Sequence, residues 1–450
     1  MRGTQLSRGN YLSYALGSVG TAGFSTVPGL LLAYYLTNIL GVAAGAAAFV
    51  VVLPKIWDVG FLPVVGNLSD RSVGRRGSRR PFLLLGGATL PVLFALMFAA
   101  PPSAGSVVGA LWVFVFFLLA ASAFAVFQVP YIAMPAEITD DPEERTTVMS
   151  WRVAFLGGGI LLFGAGAPAL KDAMGGGAGG YLVMGIVVGA LIGLGMLGCW
   201  WGLRRTRILH RAEAEPSLRV QLLVARQNRP FVFLLSAFFL QALATGAMLA
   251  GAQYYATYVL GKESLITVLF VCLVGPAVLV MPLWAAVGHR MGKRAGFLAA
   301  SLAFLAGTVL LAFSRSFPDG VVYLVVALCG VGYAGMQMFP LAMLPDTVAA
   351  DTAVSGKRRA GIFTGLWTAG ETTGFALGPA LVLGVLAVTG FVSTTGDKTV
   401  AQPSSAVTGV LLSFSVVPAV LLLLSLPFLR RYELEAVEPT DRAEDEGERV

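Results

Sequence analysis

The sequence predicts an all-α membrane protein whose twelve transmembrane helices form two six-helix bundles. Of the 450 residues, 56% are hydrophobic and only 12% are charged, whereas a soluble protein carries about 25% charged residues. Twelve apolar stretches each approach or exceed the roughly 20 residues that a helix needs to cross a bilayer. The chain therefore lacks the charge to cover a water-facing surface of its size.

A polar linker divides the chain between the sixth and seventh apolar stretches. We expect an N-terminal bundle over 1–203, a cytoplasmic linker over 204–230, a C-terminal bundle over 231–432 and a disordered acidic tail over 433–450. The basic stretch GNLSDRSVGRRGSRRPFLL follows the second predicted helix, and GHRMGKRAGFLAA follows the eighth. A basic turn at the same place in each half indicates a parallel repeat.

The distribution of basic residues predicts the orientation. The net charge of +7 could suggest nucleic-acid binding, but most lysines and arginines fall in short loops on one side of the predicted membrane. Only Lys171, Lys262, Arg315 and Lys398 fall in loops on the other side. By the positive-inside rule we expect a multi-pass protein of the cytoplasmic (inner) membrane with both termini in the cytoplasm and no nucleic-acid partner.

Enzyme signatures are missing from the sequence. The two histidines, His210 and His289, lie in basic loops, and the three cysteines, Cys199, Cys272 and Cys329, lie in apolar segments without metal-ligand spacing. There is no phosphate-binding loop or nucleophile elbow. We therefore expect no enzyme activity, no metal and no cofactor.

The stretch from Lys55 to Pro81 carries the first functional signal. Lys55 and Asp58 are three residues apart in an apolar segment predicted to be helical over 43–69, and this spacing places both on one face. A charge within the membrane needs a partner or a water-filled cavity. The pair could therefore bind a coupling cation, or it could be a structural ion pair.

A compact basic turn is predicted directly after this helix. It contains Asp70, Arg71, Arg75 and Arg76. An acid among basic groups at helix ends can hold the halves of a transporter together and release them as the halves rock. The turn is interpreted as a cytoplasmic gate, with a purely topogenic basic loop as the alternative. The acidic residues at 140–144 would supply the counter-charge or cap a helix.

Three long motifs carry a family resemblance. KIWDVGFLPVVGNLSDRSVGRRGSRRPF, VPYIAMPAEITDDPEERTTVMSWR and MLPDTVAADTAVSGKRRAGIFTGLWTAGETTGFALGPAL resemble the second helix and two helix junctions of the glycoside–pentoside–hexuronide:cation symporters. This group is the melibiose-carrier branch of the major facilitator superfamily. The resemblance extends over nearly the whole chain and implies alternating access to a central cavity between the two bundles.

The resemblance also implies roles for individual residues. Asp58 matches a cation-binding aspartate, Lys55 the basic residue one turn before it, and Arg152 a cavity arginine of the fifth helix. The positions that match the lining of the sugar cavity are Gln128, Gln337, Trp367 and Thr368. Tyr131 is a further uncharged candidate for the cavity wall.

Several family acids are absent from this chain. Leu62 stands where the family has its second cation aspartate, and Phe61 occupies the neighbouring polar position. Ala22 and Gln128 replace two sugar-site aspartates, and the family lysine of the eleventh helix aligns with Thr372. These departures weaken the expectation of sodium coupling and of melibiose-like sugar recognition.

Two more charges lie within predicted spans. Glu371 is near the middle of the eleventh predicted helix, where burial penalises the charged carboxylate and makes it a candidate proton carrier. Arg152 could bind a carboxylate or phosphate of the substrate, or it could neutralise Asp58 and Glu371. An ion pair between Arg152 and Glu371 that locks one conformation is compatible with both roles.

The sequence thus predicts a symporter-like secondary active transporter in the lipid bilayer. Its expected partners are a small polar organic solute, such as a sugar or glycoside, and a coupling proton rather than sodium; a monomer is expected. One alternative is a carrier of lysolipids or other amphiphiles on the same scaffold. A second is a non-transporting membrane receptor, which three buried charges argue against.

Overall fold

The computed structural model describes residues 6–76, 78–139, 141–206, 218–355, 360–396 and 400–433, and almost all of them are helical. The first half contains α1 (Arg8–Val27), α2 (Ala44–Arg76), α3 (Arg80–Met97), α4 (Ser106–Ile138), α5 (Pro142–Ala173) and α6 (Gly177–Leu203). A short helix, α7 (Leu218–Gln227), lies in the linker. The second half contains α8 (Arg229–Tyr258), α9 (Leu265–Met291), α10 (Lys293–Leu311), α11 (Asp319–Ser355), α12 (Ala360–Val388), α13 (Ser404–Phe414) and α14 (Val416–Arg430).

Twelve spans in the described part of the chain are long and apolar enough to cross a membrane, with α13 and α14 together forming the last. This confirms the predicted all-α fold. In the first half α1 packs on α5 and α6, while α3 packs on α4 and α6. In the second half α8 packs on α12 and α14, and α11 packs on α9 and α10.

Glycine rows bring helices of the same half into close contact. A Cβ atom at Gly378 would lie 2.2 Å from the carbonyl carbon of Gly246, and one at Gly374 would lie 2.8 Å from Ala242 Cβ. The row on α12 therefore packs directly on α8, as the small-residue spacing allows. Gly189 and Gly193 on α6 approach Pro91 of α3 in the same way.

The end of α1 is irregular and joins the two halves. After Val27 the helix continues through two wider π turns, Pro28–Leu32 and Tyr35–Ile39. Proline has no amide hydrogen and disturbs the α-helical hydrogen-bond ladder. The chain then reaches Leu40, which forms an antiparallel bridge with Thr395 of the second half.

We call the bonds between residues 37–40 and residues 394–396 the clasp. The Thr394 amide donates to the Thr37 carbonyl at 2.9 Å, and the Gly396 amide donates to the Ile39 carbonyl at 3.0 Å. The Thr37 hydroxyl also lies 2.6 Å from the hydroxyl of Tyr254 on α8. Main-chain and side-chain hydrogen bonds therefore hold the two halves together at this end, which we call the closed end.

A buried ion pair adds to the closed end. Lys171 is fully buried in the last turn of α5, although the sequence indicated an ordinary loop lysine. Its Nζ lies 2.5 Å from Glu263 Oε1, in the α8–α9 connection, and 2.9 Å from Asp172 Oδ1. The ammonium group also lies over the Tyr181 ring at 5.4 Å. Lys171 thus carries a charge contact from the first half to the second.

Helices α5 and α9 meet without a polar bond near the same end. A Cβ atom at Gly164 would lie 1.9 Å from the ring of Phe270. Every hydrogen bond or ion pair that joins the halves within the described residues lies at the closed end. The opposite end, where α1 begins and α14 ends, we call the open end.

The turn after the second span is shorter than predicted. The sequence indicated a compact basic turn from Asp70 onward, but α2 remains helical to Arg76 and α3 begins at Arg80. Arginine is a good helix former, and the next proline, Pro81, sits in the first turn of α3, where it is tolerated. The basic residues therefore extend a helix beyond the apolar span.

We predict that Gly164→Val opens the closed end. The added side chain would overlap Phe270, and overpacking of this kind costs about 1–3 kcal/mol. Since 1.4 kcal/mol is a factor of ten, the ratio of closed to open molecules should fall about tenfold. Spin labels on cysteines placed at Ser103 and Ser264, both exposed at the closed end, should report a longer distance by electron–electron double resonance.

Gly166→Val is the matched control for this variant. A Cβ atom at Gly166 has no neighbour within 4 Å, and the residue is two positions away on the same helix. Its label distance should equal that of the parent protein. An unchanged distance in Gly164→Val would mean that the Phe270 contact does not hold the halves together.

Candidate functional site

The predicted site residues fall into three groups on helices that face the junction between the halves. Lys55, Asp58 and the predicted gate residues lie on α2. Gln128, Tyr131 and Arg152 lie on α4 and α5, and Gln337, Trp367, Thr368 and Glu371 lie on α11 and α12. The first two groups belong to the first half and the third belongs to the second half.

Asp58 is buried in the span formed by α2. Its side chain is 7% exposed, and Oδ1 has no hydrogen-bond partner among the described residues. An unpaired buried carboxylate oxygen is costly. The site therefore calls for a proton, a cation or a substrate donor at this oxygen.

Lys55 does not form a close ion pair with Asp58. Its ammonium group lies instead over two aromatic rings, 5.4 Å from the centroid of Phe24 and 5.5 Å from that of Phe117. Cation–π contacts of this kind contribute about 0.5–2 kcal/mol. Lys55 and Asp58 still act on each other electrostatically. The static ion pair considered from the sequence is not the arrangement in this conformation.

The residues after Asp58 contribute no oxygen ligands. The ring of Phe61 stacks on Trp57 with centroids 5.5 Å apart. The indole nitrogen of Trp57 donates to the hydroxyl of Ser122 on α4 at 2.9 Å. The turn of α2 around Asp58 is therefore fixed by aromatic packing, and Leu62 is likewise apolar.

Arg152 lies beside a rigid pair of tyrosines. The guanidinium carbon is 5.6 Å from the centre of the Tyr131 ring. Tyr131 stacks on Tyr14 of α1 at 4.6 Å, and each hydroxyl donates to the other residue's carbonyl oxygen. The Tyr131 hydroxyl also lies 2.8 Å from that of Ser18. Tyr131 is fully buried and supports Arg152 from one side.

Gln128 lies one turn before Tyr131 on α4. Its Oε1 accepts a hydrogen bond of 2.9 Å from the Thr21 hydroxyl of α1. Its amide nitrogen donates to no described residue. This leaves a neutral hydrogen-bond donor one turn before Tyr131, the residue on which Arg152 rests.

Glu371 is half-buried on α12 and has no ion-pair partner among the described residues. Its carboxylate is among the charges that act on the Tyr333 hydroxyl of α11. Gln337 donates to that hydroxyl at 3.4 Å. These three residues form the polar part of the second half of the site.

Trp367 and Thr368 are neighbours on α12, but Trp367 is buried and Thr368 is exposed. Trp367 is 2% exposed and stacks on Phe238 of α8 at 4.4 Å, while its indole nitrogen has no partner among the described residues. Thr368 is exposed, and its hydroxyl donates to the Thr364 carbonyl of its own helix. Trp367 therefore packs within the second half, and Thr368 lies on an open face.

Asp58 and Glu371 lie at similar depth on facing helices. Gly45 of α2 faces Ala387 of α12 near the closed end, where a Cβ atom added to Gly45 would lie 3.8 Å from Ala387 Cβ. From that contact, Asp58 is about 20 Å along α2 and Glu371 about 24 Å along α12 at 1.5 Å per residue. No ion pair joins Arg152 to Glu371 among the described residues, so these charges are separate in this conformation.

The predicted gate is described only in part. The side chains of Asp70, Arg75 and Arg76 lie outside the described residues, while Arg71 is exposed without an ion-pair partner among them. Of the acidic residues, Asp140 also lies outside that part. Asp141 caps α5 through the Glu143 amide, and Glu144 accepts from the Leu6 amide at 3.0 Å. The gate stays a prediction.

Two buried ion pairs in the structure could not be predicted from the sequence. Arg79 at the start of α3 pairs with Glu137 near the end of α4 at 2.8 Å, and both side chains are at most 6% exposed. The other is the pair of Lys171 with Glu263 described above. Both partners in each pair flank apolar spans, where charged residues are ordinary, so no local pattern distinguished them.

Comparisons with known proteins agree with the helical membrane fold. The family model described as MFS/sugar transport protein matches residues 13–436. The glucuronide carrier protein homolog of Escherichia coli (strain K12) is 27% identical over 438 residues, which cover 96% of this chain and 93% of that protein. The sodium-dependent lysophosphatidylcholine symporter 1 of Mus musculus is 25% identical over 381 residues, covering 76% of this chain and 70% of that protein.

The solved structure of the nucleoside transporter NupG shows the same fold. It superposes with a TM-score of 0.65 at 15% identity, covering 95% of this chain and 100% of that one. The family match over nearly the whole chain confirms the resemblance read from the motifs. This protein belongs to the MFS/sugar transport protein family, in the glycoside–pentoside–hexuronide branch of the major facilitator superfamily, and it is a membrane transporter rather than an enzyme.

Proposed function

We propose that this protein is a proton-coupled symporter that carries a small polar organic solute, such as a sugar or glycoside, across the cytoplasmic membrane. The observation that carries the proposal is Asp58, a carboxylate within a membrane span whose Oδ1 has no partner among the described residues. A buried ionisable group with an open position is typical of a coupling site.

A proton fits this position better than sodium. A hard cation needs several oxygen ligands at once, but Phe61 stacks on Trp57 and Leu62 is apolar. A proton needs one basic atom, which Asp58 and Glu371 each provide. Both carboxylates lie within membrane spans and have no ion-pair partner among the described residues, an environment that favours the protonated form. Sodium dependence, which is in the name of the mouse relative, is accordingly not assigned to this chain.

The closed end faces the outside in this proposal. Most of the basic loop residues flank the open end, and the positive-inside rule puts such loops in the cytoplasm. The structure would then be the inward-facing state of an alternating-access cycle. The transition to the outward-facing state requires the bonds of the clasp and the Lys171–Glu263 pair to break while the open end closes.

A lysolipid or another amphiphile is the alternative cargo. The mouse relative, which is named as a lysophosphatidylcholine symporter, supports this alternative. The absence of the family's sugar-site aspartates from the cavity positions of this chain also favours it. A non-transporting receptor gains no support, since the family match identifies transporters and the site retains three membrane-embedded charges.

Topology is the first test. In a background without Cys199, Cys272 and Cys329, a cysteine at Ser264 should react with an impermeant maleimide added to intact cells. A cysteine at Arg205, exposed at the open end, should react only after the membrane is permeabilised. The reverse pattern would overturn the orientation.

Proton coupling is tested in proteoliposomes. We expect an inward-directed proton gradient to drive accumulation of a transported glycoside, and Asp58→Asn or Glu371→Gln to abolish this accumulation while counterflow exchange persists. The neutralised variants can still bind and reorient, but they cannot release a proton. Asp319→Asn, which alters an exposed carboxylate at the start of α11, should behave like the parent protein.

Two results would contradict this assignment. Uptake driven by sodium at constant pH, without any response to a proton gradient, would place a sodium site at Asp58. Uptake indifferent to both gradients would make the protein a uniporter, with Asp58 and Lys55 only structural.

A further inference from the structure

We propose that Arg152 binds an oxyanion of the substrate, so that the cargo is an anionic solute and its symport with one proton is electroneutral for a monoanion. This inference rests on the proposed function, because it specifies what the proton symporter carries. It goes beyond a cavity role for Arg152 by assigning the charge of the ligand.

Among the described residues, the tyrosine pair that Arg152 faces brings no negative charge to it. The titratable groups near the tyrosine pair that it faces are the two hydroxyls of Tyr14 and Tyr131 and the thiol of Cys199, and phenols and thiols of this kind are neutral at physiological pH. Asp58 lies on α2, which packs on α4 and α12, whereas Arg152 lies on α5, which packs on α1, α6 and α9. Within the described residues, no carboxylate pairs with Arg152.

The donors of Arg152 also have no acceptor among the described residues. The guanidinium rests on the face of Tyr131, and it donates no hydrogen bond to a described residue. Its planar set of five N–H groups matches the two oxygens of a carboxylate or the oxygens of a phosphate or sulfonate. A half-buried charge without a fixed partner is unfavourable, and an anionic ligand relieves this cost.

The neighbouring groups hold Arg152 in place and add a donor. Tyr131 cannot rotate freely, because it stacks on Tyr14 and is hydrogen-bonded to Ser18 and to the Tyr14 carbonyl. Gln128 lies on the same face of α4 as Tyr131, and its oxygen is engaged by Thr21. Its amide NH₂ therefore remains as a neutral donor one turn of α4 before the ring on which the guanidinium rests, and an oxygen acceptor with negative charge suits both donors.

Charge balance connects this site to the coupling proton. Lys55 and Asp58 are neighbours of opposite charge on α2, and Arg152 and Glu371 are opposite charges on different halves. When Glu371 carries the proton, the charges of Lys55, Asp58 and Arg152 within the spans sum to +1. A monoanionic substrate removes that charge, so proton and substrate are favoured together and no net charge crosses the membrane.

The competing partner for Arg152 is Glu371 itself. The two residues are separate here, but closing of the open end could bring them together. In that case Arg152 would serve the conformational change, and the substrate could be neutral. The experiments below separate the two roles.

The first experiment compares probe pairs that differ in charge. The purified full-length protein is titrated with p-nitrophenyl β-D-glucuronide and p-nitrophenyl β-D-glucoside, which differ in a carboxylate against a hydroxymethyl group. Lysophosphatidylglycerol and monoacylglycerol form a second pair that tests a lipid phosphate as the source of the oxyanion. In at least one of the two pairs, the anionic probe should bind and raise the melting temperature of the protein, whereas the neutral probe of that pair should do neither.

Variants then assign the binding to Arg152. Arg152→Gln should weaken binding of the anionic probe at least about tenfold, as expected when one partner of a charge pair is lost, and Arg152→Lys should have a smaller effect. Gln128→Glu keeps Arg152 but gives it an internal anion, so it should also weaken the anionic probe. Arg315→Gln, at an exposed position of the closed end, is the matched control and should bind normally.

The second experiment measures charge movement in proteoliposomes. Uptake of the bound monoanion should respond to a pH gradient and not to a potassium–valinomycin potential of either sign. A potential that drives uptake at constant pH would overturn the electroneutral proposal. A parent protein that ignores the pH gradient would instead contradict proton coupling itself, so the two failures are distinguishable.

Three binding results would reject the oxyanion site. These are equal or tighter binding of the neutral member of a pair, failure of every anionic probe, and recovery of neutral-glycoside binding when Glu371→Gln is added to Arg152→Gln. The last result would identify Glu371 as the partner of Arg152.

Discussion

Contact between the two halves at the closed end determines how Arg152 and Glu371 lie relative to each other in the membrane interior. The clasp joins the end of α1 to residues 394–396, and Lys171 joins α5 to the α8–α9 connection. With the halves held together there, Arg152 and Glu371 are left on separate halves without a mutual ion pair. A charge in a membrane protein needs a counter-charge or water, so this separation requires a hydrated space between the halves or a bound ligand.

Much of the architecture could be predicted from the sequence, because the bilayer imposes a length and a polarity on each span. The twelve spans follow from apolar length, and glycine rows such as that around Gly374 indicate close packing that the structure has. The candidates Asp58, Arg152 and Glu371 could be found because charges are rare in such segments. Their depth follows from residue counts along each helix.

The remaining features depend on contacts between distant residues. Lys171 and Glu263 each look like ordinary residues at a membrane boundary, and only the fold shows that they meet in a buried pair. The sequence predicted a turn where α2 continues to Arg76, because clustered basic residues are typical of loops at a membrane boundary. Arginine nevertheless favours helix. The position of Lys55 over Phe24 and Phe117 likewise needs three helices to be in place. A single sequence contains no local signal for such pairings.

The clasp has a consequence for how this scaffold can diversify. Two of its hydrogen bonds run from the Thr394 and Gly396 amides to main-chain carbonyls. The first does not depend on the Thr394 side chain, and only proline there would remove the donor, while the φ of 75° at Gly396 favours glycine. The main-chain hydrogen bond of the clasp at Thr394, which helps to hold the closed end together, is thus largely insensitive to mutation. Residues that contact the substrate can therefore be substituted while the closed end still blocks passage through the protein. The same fold can in this way acquire new substrates without becoming an open channel.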